Sequence, residues 1–151
     1  MIDIDTFDIQ NKIINSFASD TDMKAALGIT DEFLASFGGT SEENYYNAVD
    51  VKIRRFALPV EQVITDFLPY MTVAFVNAYK TGNMLINHGL LEIITYVSQW
   101  GDANNIVKQQ RRVLKETFDD NDFQVVHEGQ VSSGVPGIFA YSVRYKPMVR
   151  S

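Results

Sequence analysis

Between Pro69 and Met148 the chain reads strand, strand, helix, strand, strand, an order that leaves few folds open. Residues 70–79 (YMTVAFVNAY) and 90–98 (LLEIITYVS) are rich in β-branched and aromatic side chains. Each is followed by turn chemistry, Lys80-Thr-Gly-Asn83 after the first and Trp100-Gly-Asp102 after the second. From Asp102 to Phe118 the period changes. Ile106, Val107, Val113, Leu114 and Phe118 recur at helical spacing, with Gln110 the one polar member of the row. Lys108, Arg111, Arg112, Lys115 and Glu116 fall on other faces, so one stripe covers a sheet while the charged flank meets water. After Asp119-Asp-Asn-Asp122, residues 123–128 and 138–146 return to strand composition. They are joined by Gly129, Gln130, Val131, Ser132, Ser133, Gly134, Val135, Pro136 and Gly137, a run too rich in Gly, Pro and Ser for a core, which reads as a projecting loop. The expected fold is α+β, with a predominantly antiparallel four-stranded sheet, helix 104–118 packed on one face, and residues 69–148 as the sheet-and-helix core.

Ahead of this core the expectation is extra N-terminal helices over residues 1–38. Thr6 or Asp5 caps a first helix whose apolar face runs through Phe7, Ile9, Ile13, Ile14 and Phe17. Ser19-Asp-Thr-Asp22 ends it and caps a short second helix through residues 23–27, with Gly28 where a left-handed C′ residue belongs. Residues 30–37 followed by Gly38-Gly39 repeat that grammar. Residues 39–47 turn polar and read as an exposed loop, in which Tyr45 and Tyr46 lean on a partner or on the sheet. Residues 51–58 fit either a short strand or the start of a helix, because Val51 and Ile53 alternate but Phe56 breaks the period. Pro59 suits the first turn of a helix through Val60, Val63, Ile64 and Phe67.

A chain of 151 residues is one domain by the length prior, residues 1–151, and buries roughly two-thirds of its unfolded surface. With 46% apolar and 21% charged residues it lies far from the signature of disorder. No apolar run reaches the ~18 residues of a membrane span, and Met1-Ile-Asp-Ile-Asp5 lacks a basic start, so a soluble, intracellularly made chain with no membrane partner is expected. The absence of cysteine excludes disulfides, thiolate zinc sites and thiol nucleophiles. Net charge is −6, unevenly spread: residues 1–50 hold ten Asp/Glu against two Lys, residues 51–151 nine acids against eleven bases. Nothing there forms the basic face that sequence-specific nucleic-acid binding needs.

Catalytic, cofactor and metal constellations are not found. His88 and His127 stand apart from any second ligand at metal spacing, and each reads as an ordinary strand histidine. Asp119-Asp-Asn-Asp122 lacks the Gly and the closing Glu of a calcium loop. Thr81-Gly82 and Gly134-Val-Pro-Gly137 lack the residues that cradle phosphate, and Ser132-Ser133 misses the nucleophile-elbow spacing. Trp100, beside Gly101, is a candidate interface anchor; the plainer alternative is a ring covering the edge of its own core.

Leu68-Pro69-Tyr70 leading into a strand, Leu91-Glu-Ile-Ile-Thr-Tyr-Val97 followed by a Gly-Asp turn, helix Asn105-Ile-Val-Lys-Gln-Gln-Arg-Arg-Val-Leu114 and a closing strand pair together resemble the tail terminator and related neck (head-tail connector) proteins of tailed bacteriophages. Ile13-Ile-Asn-Ser-Phe-Ala-Ser-Asp20 through Ala26-Leu-Gly28 is similar to the N-terminal helix and Leu-Gly step ahead of the sheet in that family. The segment at 30–37 and the Tyr45-Tyr46 pair depart from a generic small terminator. The resemblance implies a structural virion protein, made in the bacterial host cytoplasm and carried in the neck. Its copies form a ring, with a hexamer expected, that caps the tail tube and docks head completion proteins while genomic DNA passes through without sequence-specific binding. On that reading the protein is no enzyme and needs no cofactor. Arg111, Arg112 and Lys115 are available to meet residues 1–50 of a neighbouring copy, and the loop from Gly129 contacts a neighbour or the tube. A solvated basic helix face is the alternative for the three cations. The alternatives for the whole chain are another neck ring protein, or a small α+β ligand-binding or enzymatic domain.

Overall fold

The computed structural model describes residues 6–55, 67–76, 90–118 and 122–147, with side chains from residue 8 onward. Four helices come first: α1 (Thr6–Ser19), α2 (Thr21–Ala26), α3 (Asp31–Ala35) and α4 (Ser41–Lys52). Their joints follow from capping. Asp20, Thr30 and Thr40 each accept a hydrogen bond from the backbone N–H three residues on, at 2.9, 3.1 and 3.2 Å. Gly28 and Gly38 both sit at φ +74°, where the chain leaves a helix through the left-handed region. The expected loop over residues 39–47 is instead the first half of α4. Thr40-Ser-Glu-Glu43 is a capping-box sequence, and its helix looks polar because it buries only a narrow strip through Asn44, Ala48 and Lys52.

The sheet contains β1 (Ile53–Arg54), β2 (Tyr70–Val76), β3 (Leu90–Val97), β4 (Phe123–Ser132) and β5 (Phe139–Pro147), in the order β1-β2-β3-β5-β4. The fold is α+β as expected, but the predominantly antiparallel four-stranded sheet is corrected to a five-stranded mixed one: β2, β3, β5 and β4 pair antiparallel, and β1 adds parallel to β2 through Ile53–Met71 and Arg54–Thr72. Of the two readings of residues 51–58, the short strand is found, but only at Ile53–Arg54, because Val51 and Lys52 still belong to α4, which delivers the chain alongside β2. The turn at residues 80–83, the end of the first run beyond Val76, His88, the helix expected after Pro59 and Asp119 to Asn121 lie outside the described residues.

Helix α5 (Trp100–Thr117) starts four residues before the expected Asn104. Trp100, Gly101 and Asp102 are its first turn, not a separate break: first-turn N–H groups need no partner four residues back, and Asp102 suits the positive helix end. Ile106, Val107, Gln110, Val113 and Leu114 are buried as the spacing requires. They meet Ile13, Ile14 and Phe17 of α1 and the odd-numbered side chains Met71, Val73, Leu91, Ile93, Val97, Val143 and Tyr145 of the sheet. Gln110 is fully buried there and donates to Thr95 Oγ1 at 2.8 Å and toward Met71 Sδ at 3.3 Å. The opposite sheet face holds Tyr70 stacked on Tyr96 at 4.9 Å, with Ala140 beside them.

The largest departure from the sequence reading lies in the hairpin. Gly129, Gln130, Val131 and Ser132 belong to β4, facing Ser142, Tyr141, Ala140 and Phe139, so the connection shrinks to residues 133–138. Backbone pairing at a sheet edge needs no apolar side chains, which is why Gly, Gln and Ser disguise this half of the strand as loop.

Candidate assembly surface

Strand β4 is the end of the sheet, and Gln124 through Glu128 are all exposed. It contains one irregularity. Val125 opposes Tyr145 and His127 opposes Arg144, which leaves Val126 as an extra, bulged residue. Because side chains alternate along a strand, the bulge exchanges the two faces. Phe123 lies on the α5 side, packed edge-on against Phe118 and Tyr145. Beyond the bulge it is Glu128 that faces α5, where Arg111 forms an ion pair with it. Val131 turns to the opposite face and joins the Tyr70, Tyr96 and Ala140 cluster.

Arg111, Arg112 and Lys115 do not form one patch. Arg111 lies between α5 and the overhanging β4, and its guanidinium beside Tyr145 opposes the effect of burial, which pushes that phenol up to about 12. Arg112 points to the other flank, where it donates to Asp20 at 2.5 Å, to Glu116 Oε2 at 3.0 Å and to Gln109 Oε1 at 2.9 Å. Asp20 is also the α2 cap, and the Arg112 hydrogen bond is the main cause holding its carboxyl below the usual carboxylate value. The acidic partner that Arg112 finds is thus in its own chain. Lys115 is exposed.

Trp100 is 42% exposed at the start of α5, with ring centres 5.4 Å from Phe139 and 6.0 Å from Tyr141. Phe139, itself 38% exposed, makes this an aromatic shelf beside the hairpin tip rather than a lone ring. The tip is ordered by Ser133. Its hydroxyl accepts from the Val135 N–H at 3.1 Å and lies 2.7 Å from the Ile138 carbonyl oxygen, to which it donates. Gly134 and Gly137 turn the chain at φ +78° and +82°.

Two polar features escaped the sequence reading. Lys52 is 3% exposed; its ammonium donates to the carbonyls of Phe67 at 3.1 Å and Pro69 at 3.0 Å and sits 4.8 Å from the Phe33 ring centre. Burial pulls its pKa down to about 8. The only sequence signal was its place four residues after Ala48 on the buried strip of α4. Glu92, on the sheet face away from α5, accepts from Ser142 Oγ at 3.0 Å and from Arg144 Nε at 2.7 Å. Glu92 and Arg144 are direct cross-strand partners, a relation visible only once β3 and β5 are known to pair.

Among the described residues no group of three or more His, Asp or Glu side chains is placed to hold a metal ion, and no helix is long and apolar enough to cross a membrane. His127 stands exposed on β4. The chain matches no protein-family model, no curated protein and no solved structure.

Proposed function

We propose that this protein is a structural subunit of a phage neck, of the tail terminator type, whose copies form a ring, with a hexamer expected, that caps the tail tube and meets the head completion proteins. One observation carries the reading: β4 is a ten-residue strand held by a single neighbour, exposed along most of its length, at the end of an otherwise well-packed sheet. Apart from Phe123 and Val131 this strand buries little within its own chain, so its use is in contact with something else. The shelf of Trp100, Phe139 and Tyr141 lies beside the same hairpin and extends that surface with the residue types that anchor interfaces. In this reading the protein acts through shape and association, as a virion component without turnover, and DNA passes the ring with no base contacts.

The test is electron microscopy of particles made by a phage carrying this gene, with the gene intact and with it interrupted. Free heads beside unjoined tails of irregular length are expected when it is interrupted. Joined particles with tails of normal length refute the proposal.

A further inference from the structure

Two exposed helix faces, one on α4 and one on α5, carry opposite charge. Helix α4 packs at the β1–β2 end. Its exposed row is Glu43, Tyr46 and Asp50, flanked by Glu42 and Asn47. These positions follow the i, i+3, i+7 pattern that lines one helix face. Tyr46 is the most exposed large hydrophobic side chain among the described residues, at 59%, with its ring edge-on to Tyr45. Among the described residues, neither Glu43 nor Asp50 has an ion pair within the chain.

On α5, which packs over β3 and β5, the Arg111–Glu128 pair fixes which side overlooks β4. Lys108 and Lys115, three residues before and four after Arg111, share that side and are exposed. They too have no ion pair among the described residues. Lys108, Arg111 and Lys115 therefore repeat the i, i+3, i+7 spacing of Glu43, Tyr46 and Asp50. Each row spans about 10.5 Å at 1.5 Å per residue. The rows match in length and spacing and oppose in charge. An arginine stands at the centre of one and an aromatic ring at the centre of the other, a pairing suited to stacking.

We infer that α4 of one copy docks against α5 of the next, head to tail, with Glu43, Tyr46 and Asp50 on Lys108, Arg111 and Lys115. This rests on the ring-subunit reading and names the surface that would build the ring. The occupant is a second copy because both halves of the contact are on one chain but apart in it, α4 packed on β1 and β2 and the basic row on the side of α5 toward β4, so that neither closes on the other. Such a heterologous contact repeats from copy to copy and ends only when a ring closes. Two rows of this length bury less than a standard stable interface, so each contact is weak alone and salt-sensitive, and ring closure supplies the avidity.

The test is sedimentation of the full chain at up to several hundred micromolar, in low and in high salt, with two variants. One is Glu43→Lys with Asp50→Lys; the other is Lys108→Glu with Lys115→Glu. All four residues are exposed, and circular dichroism checks that each variant is folded. The parent is expected to associate in low salt and to weaken on adding salt. Each variant alone should associate at least about tenfold more weakly, a loss of about 1.4 kcal/mol. An equimolar mixture should recover association, because the reversed α4 of the first meets the reversed α5 of the second. Parent chains that stay monomeric throughout overturn the inference, as does a mixture that fails to recover. Variants that associate as well as the parent overturn this contact while leaving self-association in place; the ring reading itself falls only if head-tail joining is normal with the gene interrupted.

Discussion

Gln110 offers the sharpest check on the packing beneath α5. It is completely buried, and its Nε2 donates to Thr95 Oγ1 at 2.8 Å, yet its Oε1 has no hydrogen-bond partner among the described residues. A buried acceptor left unpaired costs about 1–3 kcal/mol, whereas the one neutral hydrogen bond made here contributes about 0.5–1.5 kcal/mol. Replacing both partners with apolar residues of similar shape, Gln110→Met with Thr95→Val, removes the bond and the orphan together and leaves Met71 in ordinary thioether contact. The double variant should be more stable than the parent by about 1 kcal/mol. Thr95→Val alone should be less stable by about 1–3 kcal/mol, because it strands the amide as well. Denaturant unfolding of parent, singles and double closes the cycle, and a gain of 1 kcal/mol appears as a rise of about 2–4 °C in Tm for a chain of this size. If the double variant loses more than about 1 kcal/mol, Oε1 is satisfied in solution and the reasoning fails.

Leu114→Ala, at the centre of the same stripe, should cost roughly 2–5 kcal/mol by denaturant unfolding, and a loss under half a kcal/mol would remove α5 from the core. Lys52 has a folded pKa of about 8 against 10.5 for the free side chain, so between those values the unfolded chain binds the extra proton and stability rises with pH. Subtracting the profile of Lys52→Met from that of the parent should leave a rise over pH 8 to 10.5, and a flat difference contradicts the burial of the charge. The depressed pKa of Asp20 gives a slope of the same sign in acid: its contribution is present above pH 3.8 and lost as pH falls through the lower folded value. Asp20→Asn keeps a capping side chain but loses the Arg112 pair, so it should cost about 0.5–1 kcal/mol at pH 7 and progressively less as pH falls below 3.8, read from urea midpoints. Deleting Val126 keeps every partner across β4 and β5 while straightening the edge, so the fold should persist and aggregation rise in light scattering; unchanged solubility would mean the bulge does not guard the edge.

The parts of the fold legible in the sequence are those where one face is buried and the other wet. The α5 stripe is such a case, down to Gln110, whose polar side chain still belongs in the row because Thr95 lies opposite it. The N-terminal helices are legible for another reason: Asp20, Thr30, Gly28 and Gly38 are local devices, and capping acts within a few residues of its cause. What was hidden is what depends on a distant partner. Residues 51–58 leave strand and helix open, and only β2 alongside decides for a strand at Ile53–Arg54. Gly129 to Ser132 read as loop because Val131 is the one apolar side chain in this half of the edge strand, too few to display an alternation.

The same rule explains how the charges of the candidate assembly surface are arranged. Arg111 and Arg112 are adjacent in sequence, and spacing alone places both on a free basic flank. The fold separates them by the roughly 100° between successive helical residues, enough to send one toward β4 and the other toward the α1–α2 joint. Arg112 is then occupied within the chain, tying the N-terminal helices to α5. Arg111 is paired with Glu128 only because the bulge at Val126 brings an even-numbered β4 side chain to the α5 side. A single inserted residue on an edge strand thereby decides which side of β4 supplies the countercharge to Arg111. Without it, His127 and Gly129 would face Arg111, and the basic row of α5 would carry no internal countercharge from β4. With it, the row keeps Lys108 and Lys115 unpaired on either side of an arginine whose position is already fixed, which lowers the entropy that a second copy must overcome to use it.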